Sequence, residues 1–266
     1  MKIIYLILGF LVLGLTASPY PGFAAELTTP PSSDSSASMS LPKEAGSLEM
    51  SMASLETTGV EEREETLADP LEPINRAFFV VNDRLYFWVL KPVARGYKAV
   101  FPQDARLGVR NFFSNLTTPI RLVNCLLQAK FKGAGNETVR FLLNSTLGLA
   151  GFLDPAKKEL KIEKTEADFG QTLGIWGLGP AFYIDWPLLG PSSLRDTVGF
   201  AGDLFLDFRT YLFSEPIFYI VRPFELINET SLTIGEYEDL KKAALDPYIA
   251  VREAYHEYRQ GKIKGK

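Results

Sequence analysis

Charged and polar side chains sit inside the apolar runs of this chain instead of being sorted into separate core and surface faces. Arg140 precedes Phe141-Leu142-Leu143, Asp154 follows Gly151-Phe152-Leu153, Asp185 separates Ile184 from Trp186, and Arg195-Asp196 follows Leu194. A buried unpaired charge is costly, so each of these groups must be paired, hydrogen-bonded or facing water. Two readings stay open on this pattern alone: a set of structural ion pairs, or a water-lined passage through an otherwise apolar body.

The 266 residues are enough for one or two domains, and a 46% hydrophobic content is ample for a core. Part of that length is not fold. Lys2, the apolar run from Ile3 to Leu15 and the small residues Gly22, Ala24 and Ala25 make residues 1–25 a secretory signal peptide. The run falls short of the roughly 20 apolar residues of a spanning helix, which leaves an uncleaved anchor as the lesser alternative. Residues 26–66, rich in Ser, Thr, Pro and Glu, hold too few large apolar residues to offset chain-ordering entropy and read as a disordered linker. Met50 to Leu55 is its one apolar patch. From Ala68 the composition turns abruptly aromatic and aliphatic, which sets a folded body over 67–260 and a basic C-terminal tail over 261–266.

Apolar residues in that body recur at three- and four-residue spacings, as in Phe78, Val81, Leu85, Trp88 and Val89, and long strict alternation is scarce. The fold class is therefore all-α. Pro73, with Asp69 and Glu72, marks a helix start, and Pro92 and Gly96 are expected to break or bend that element. Further helices are expected over 103–114, 119–131, 136–147, 193–208, 215–227 and 231–259. Seven glycines between Gly148 and Gly190 make an irregular segment of tight turns, in which Phe182 to Trp186 reads as an extended loop. On the helix over 193–208, Leu194, Val198, Ala201, Phe205 and Phe208 share one side, while Arg195, Asp196, Asp203 and Arg209 lie elsewhere. Taken alone such a stripe is ordinary core; the 12% aromatic content, with Trp88, Trp176 and Trp186 near polar residues, turns the reading toward a bilayer surface.

Composition also excludes chemistry. One cysteine, Cys125, rules out an intramolecular disulfide and a multi-cysteine metal site, and its apolar surroundings make it a small buried filler. A net charge of −4 argues against nucleic-acid binding, which draws most of its affinity from cationic contacts to phosphate. The single histidine, His256, reads as a surface residue of the last helix. No Gly-x-Ser-x-Gly elbow is present, and Ser192-Ser193 before Leu194 caps a helix more simply than it serves a hydrolase. The glycines of 174–179 lack the lysine of a phosphate-binding loop. Asp203 and Asp207 have no third ligand at metal spacing. No enzyme, cofactor or metal is expected.

Five blocks appear in a telling order: DPLEPINR (69–76), NFFSNL (111–116), RFLLNSTLGLAGFLD (140–154), DFGQTLGIWG (168–177) and LLGPSSLRD (188–196), followed by DPYIAVREAY (246–255). Together they resemble the VacJ/MlaA family of outer-membrane proteins over roughly residues 68–259. The resemblance implies a compact ring-like bundle of amphipathic helices in the periplasmic leaflet of the outer membrane, around a polar channel. It implies a non-enzymatic role: phospholipid misplaced in the outer leaflet is accepted and passed to a soluble periplasmic carrier, with a trimeric porin as partner. Motif match and embedded polarity assign the lipid channel or its support to Asn75, Arg76, Arg140, Asn144, Asp154, Tyr183, Asp185, Arg195 and Asp196. The alternative is an envelope protein that organises porins without moving lipid.

One departure from the family pattern concerns the anchor. Members carry a lipid on a cysteine just after the signal, and here no cysteine precedes Cys125. Either the amphipathic helices and a porin hold the protein at the outer membrane, or the signal stays uncleaved, or this member is more periplasmic than its relatives.

Overall fold

Helix α1 (Glu72–Leu85) begins with Pro73 in its first turn, where a missing N–H costs nothing, and with Glu72 at the positive end of the dipole. The computed structural model describes residues 67–265, so the expected signal peptide and linker lie outside the described residues. Past α1 the helix widens into one π-helical turn (Tyr86–Leu90) and continues as α2 (Lys91–Val100). Pro92, with no N–H to give, sits in the first turn of α2, and the Lys91 N–H reaches back to the Tyr86 carbonyl. The disturbance expected from Pro92 is thus a local widening. Gly96, expected to contribute to it, remains ordinary helix inside α2.

Helices α3 (Gln103–Leu116), α4 (Thr118–Leu127) and α5 (Phe131–Thr146) follow in quick succession, and α6 (Pro155–Lys158) and α7 (Phe169–Ile175) are short. Asp154 and Asp168 cap the last two by accepting from the Lys157 and Gln171 N–H groups. The segment expected as a loop at 182–186 is instead a strand. β1 (Tyr183–Trp186) pairs antiparallel with β2 (Gly190–Ser193), Tyr183 opposite Ser193 and Trp186 opposite Gly190. Leu188 and Gly190, both at positive φ, turn the chain between them.

Ser193 ends β2 and caps α8 (Leu194–Leu204), accepting from the Asp196 N–H as the Ser-Ser pair led one to expect. The helix expected to run on to Phe208 stops at Leu204, because Asp207 caps a separate α9 (Phe208–Leu212). Helix α10 (Glu215–Leu232) comes next, and the single helix expected over 231–259 is two: α11 (Glu236–Ala243) and α12 (Pro247–Lys264). Ala244 is extended, and Asp246 accepts from the Tyr248 and Ile249 N–H groups with Pro247 first in the new helix. Two start signals within one periodic run reset the axis.

Helix α7 packs on α8, α4 on α5, α10 on α2 and α3, and α12 on α7. Two small apolar clusters hold the centre: Leu67, Tyr183, Tyr248 and Tyr255 with Phe79 and Ile249, and Cys125, Ala134 and Ala167 with Leu122. Burial is otherwise inverted. Among the described residues, buried polar and charged side chains outnumber buried apolar ones by about two to one, while large hydrophobics stand outside. The stripe on α8 and α9 shows the inversion directly: Val198 is 53% and Phe205 77% exposed, whereas Arg195 is 6% and Asp196 3%. No helix among the described residues is long and apolar enough to cross a membrane.

Candidate functional site

Asp196 in the first turn of α8 is the hub of the buried polar interior. Arg259 on α12 straddles it, donating from Nε to Oδ2 at 2.8 Å and from Nη2 to Oδ1 at 3.0 Å, and Arg195 Nε donates to Oδ1 at 2.8 Å. The Tyr255 hydroxyl also donates to Oδ2. Arg259 continues to Asp168, with Nη1 to Oδ2 at 2.6 Å and Nη2 to Oδ1 at 2.9 Å, tying the cap of α7 to α12. Burial alone would push the Asp196 carboxyl up. Arg259 and Arg195 outweigh it and hold the group down at about 2. Such close approach needs small neighbours: a Cβ on Gly170 would stand 2.6 Å from Asp196 Oδ1, and one on Gly199 would stand 2.3 Å from the Gly170 nitrogen.

A second group joins α1 to the hairpin. Asn75 accepts from the Asp185 N–H at 3.0 Å and donates to the Tyr183 carbonyl at 3.1 Å and to Asp69 Oδ1 at 2.7 Å. Asp185 takes a single side-chain contact, from the Asn82 amide at 3.3 Å, and its Oδ2 has no hydrogen-bond partner. Burial drives this carboxyl up to about 7, with the Asn82 contact offsetting only part. The Tyr183 hydroxyl is likewise buried and unpartnered, and burial raises it well above the usual phenol range. Rings link this group to the hub: Tyr183 lies 6.0 Å from Tyr248 and 6.1 Å from Tyr255, centroid to centroid. Arg76 stands 4.4 Å over the Tyr248 ring and pairs with Glu72 and Asp246 at 2.7 and 2.9 Å.

Arg140, Asn144 and Asp154 form a third, separate group where α5 meets α6. Arg140 Nη2 donates to Asp154 Oδ2 at 2.7 Å and Nη1 to the Ile162 carbonyl, while the Asn144 amide donates to Asp154 Oδ1 at 3.0 Å. Burial works against the Asp154 carboxylate, but Arg140 and the Lys157 N–H hold it below the usual range.

The nine residues selected from the sequence therefore fall into two assemblies: six around α1, the hairpin and α8, and three at the α5–α6 corner. Arg140, Asp154, Arg195 and Asp196 are held in ion pairs, as the first of the two open readings has it, whereas Asp185 is met only by the neutral Asn82 amide. The sequence reading did not pick out Asp168, Tyr248, Tyr255 or Arg259. Three of them lie in the quoted blocks, and Tyr248, Val251, Tyr255 and Arg259 make one buried stripe at three- and four-residue spacing on α12. It also missed Asn82, seven residues beyond Asn75, and the buried pairs Arg121–Glu137 and Arg209–Asp207, at 2.7 Å each. Cys125 is buried, as expected of a filler. His256, expected on the surface, is half-buried on α12. Among the described residues no three His, Cys, Asp or Glu side chains gather in a way that could hold a metal.

The family model for the MlaA lipoprotein matches residues 67–262. The intermembrane phospholipid transport system lipoprotein MlaA of Escherichia coli (strain K12) is 38% identical over 192 residues, covering 71% of this chain and 75% of that protein. The protein of the same name from Haemophilus influenzae is 30% identical over 202 residues, covering 73% and 79%. An uncharacterized protein of Rickettsia conorii, RC0123, is 30% identical over 203 residues, covering 74% and 78%. Among solved structures, a chain from "Structural basis for maintenance of bacterial outer membrane lipid asymmetry" superposes with a TM-score of 0.62 at 32% identity, covering 74% of this chain and 99% of that one. Matched by the family model over residues 67–262, this chain belongs to the MlaA lipoprotein family.

Proposed function

We propose that this chain takes phospholipid misplaced in the outer leaflet of the outer membrane and hands it to a soluble periplasmic carrier, which keeps the membrane asymmetric. The observation that carries the reading is the inverted burial: apolar residues on the outside and a paired, polar interior. In water an exposed apolar surface of that extent is a liability, and against acyl chains it is solvated. Relatives named as parts of an intermembrane phospholipid transport system support the same direction.

A zwitterionic or anionic head group crosses an apolar layer at low cost only where polar groups replace part of its water. In this reading the polar interior supplies those groups, and the nine residues act as its support. Asn75 fixes α1 to the hairpin through Tyr183 and Asp185, Arg76 ties α1 to the start of α12, and Asp196, with Arg195 beside it, ties α8 to α12; Arg140, Asn144 and Asp154 fix the α5–α6 corner. The family resemblance supports a trimeric porin as lateral partner and a position at the periplasmic face. No step needs a nucleophile, and Ser193 is occupied as a helix cap.

Deletion of the gene tests this. Surface-exposed phospholipid and detergent sensitivity should both rise, and the intact chain supplied in trans should restore them. Normal surface lipid together with defective porin assembly would instead favour a protein that organises porins.

A further inference from the structure

A cavity of about 580 Å³ opens at the corner between α4 and α5, lined by Ala129, Lys130, Phe131, Lys132, Asn136 and Thr165. Among the buried cations, Arg121, Arg140, Arg195, Arg209 and Arg259 each hold a carboxylate, and Arg106 is bonded to the Phe101 and Ser231 carbonyls. Lys130 and Lys132 pair with no carboxylate among the described residues. The one acid close by along α5, Glu137, is fully buried and already engaged by Arg121 Nε and the Thr165 N–H, both at 2.7 Å. In a chain of net charge −4, this cavity carries two uncompensated positive charges.

The surroundings are apolar and face outward. Leu126, Leu127, Phe131 and Trp176 are all exposed, and the Trp176 indole N–H donates to the Leu127 carbonyl at 3.2 Å, fixing an aromatic ring beside the patch. Lysines whose stems lie along apolar surface while their ammonium groups stay in water suit the boundary between acyl chains and head groups. Anionic lipid surfaces attract such lysines individually. Asn136 and Thr165 add neutral hydrogen-bonding groups without adding negative charge.

We propose that this corner is a subsite for the phosphate of an anionic phospholipid head group. Lys130 and Lys132 bracket the phosphate, and the acyl chains lie on Leu126, Leu127 and Phe131. The assignment rests on the phospholipid reading and narrows it to a head-group class and a place.

Flotation of the purified full chain with vesicles of phosphatidylcholine alone, or of equal parts phosphatidylcholine and phosphatidylglycerol, tests it. The unaltered protein should prefer the phosphatidylglycerol vesicles on the order of ten-fold. K130Q/K132Q should lose that preference while floating with phosphatidylcholine as before, and K130R/K132R should keep it. R95Q/K98Q, which removes two charges from α2, should keep it too. An equal loss in R95Q/K98Q would reduce the effect to general charge and overturn the proposal, as would a preference retained by K130Q/K132Q. Binding of inorganic phosphate as tight as that of the phosphatidylglycerol vesicles would make a free ion the ligand and overturn it as well. Failure of the unaltered protein to float with either vesicle would bring down the phospholipid reading itself, so the two failures are told apart.

Discussion

Asn75 and Asn82 lie two helical turns apart on α1; Asn75 holds the open edge of β1, and Asn82 holds the end of β1 and the turn that follows it. Asn75 takes the Tyr183 carbonyl and the Asp185 N–H; Asn82 donates to the Trp186 carbonyl at 2.9 Å and accepts from the Leu188 N–H at 2.6 Å. A seven-residue step returns to the same helix face, so both side-chain amides reach the hairpin, and Asn75 stands where a third strand would run. An open strand edge invites pairing with another chain. Here it is closed by the helix that also carries Arg76, and β2 closes the other side.

Replacing Asn75 with alanine strands one buried carbonyl and one buried N–H at the strand edge. A loss of about 2–4 kcal/mol is expected, read as a lower urea midpoint with unchanged slope. Asn82→Ala should cost less, since Asn82 is half-buried and water can reach its partners. Equal losses at the two positions would contradict the bracket.

Asp185 and Asp196 give opposite slopes to the stability profile. Asp185 is raised from its ordinary 3.8 to about 7, so the folded state holds its proton more tightly than the unfolded chain. That contribution is fully present below about pH 4 and is lost as pH rises through about 7. Asp196 is lowered to about 2, so its contribution is present above about pH 4 and is lost as pH falls toward 2. Asp185→Asn should remove on the order of 2–4 kcal/mol of the fall between about pH 4 and 7, leaving the part due to Asp203, which burial also raises to about 7, and should leave the acid limb unchanged. Denaturation midpoints across that range check it; an unaltered profile in the variant would rule out Asp185 as the titrating group.

Two glycines in helices should respond in opposite directions. A Cβ at Gly199 meets the Gly170 backbone, which cannot give way while α7 is capped by Asp168 and held by Arg259. Gly199→Ala is expected to cost about 3 kcal/mol or to prevent folding. A Cβ at Gly96 meets nothing within 4 Å, so Gly96→Ala should raise stability by about 0.5–1 kcal/mol through the unfolded chain's lost freedom. Thermal midpoints of the two variants, compared with the parent, decide the matter.

Helix α8 divides what is local in the sequence from what is not. Its stripe of Leu194, Val198 and Phe205 and its cap at Ser193 follow from helical period and cap chemistry, which are local. Which side of the stripe meets the outside is not local: a period of 3.6 marks a face without saying whether water, lipid or protein lies against it. The same limit hid the partners of the embedded charges, since Arg259 lies 63 residues from Asp196 and 91 from Asp168. The hairpin escaped because its strands are four residues each and bounded by proline and glycine, and its far edge is completed by helix side chains that no strand pattern announces. The break before α12 was written in Asp246-Pro247, a cap and a first-turn proline, but the apolar spacing continued across it.

The outward face of α8 and α9 separates stability from lipid affinity. Val198 and Phe205 are among the exposed large hydrophobics, so Val198→Ser with Phe205→Ser should shift the thermal midpoint in detergent little, within the ±0.5 kcal/mol or so typical of surface sites. If that face is solvated by acyl chains, removing two large apolar groups weakens partitioning onto phosphatidylcholine vesicles by roughly ten-fold or more. The pair is informative because stability and lipid affinity separate: a core role would move the first, and a lipid-facing role only the second. Unchanged flotation alongside an unchanged midpoint would mean that this face meets neither core nor bilayer, and the seating proposed for the helical body would have to be given up.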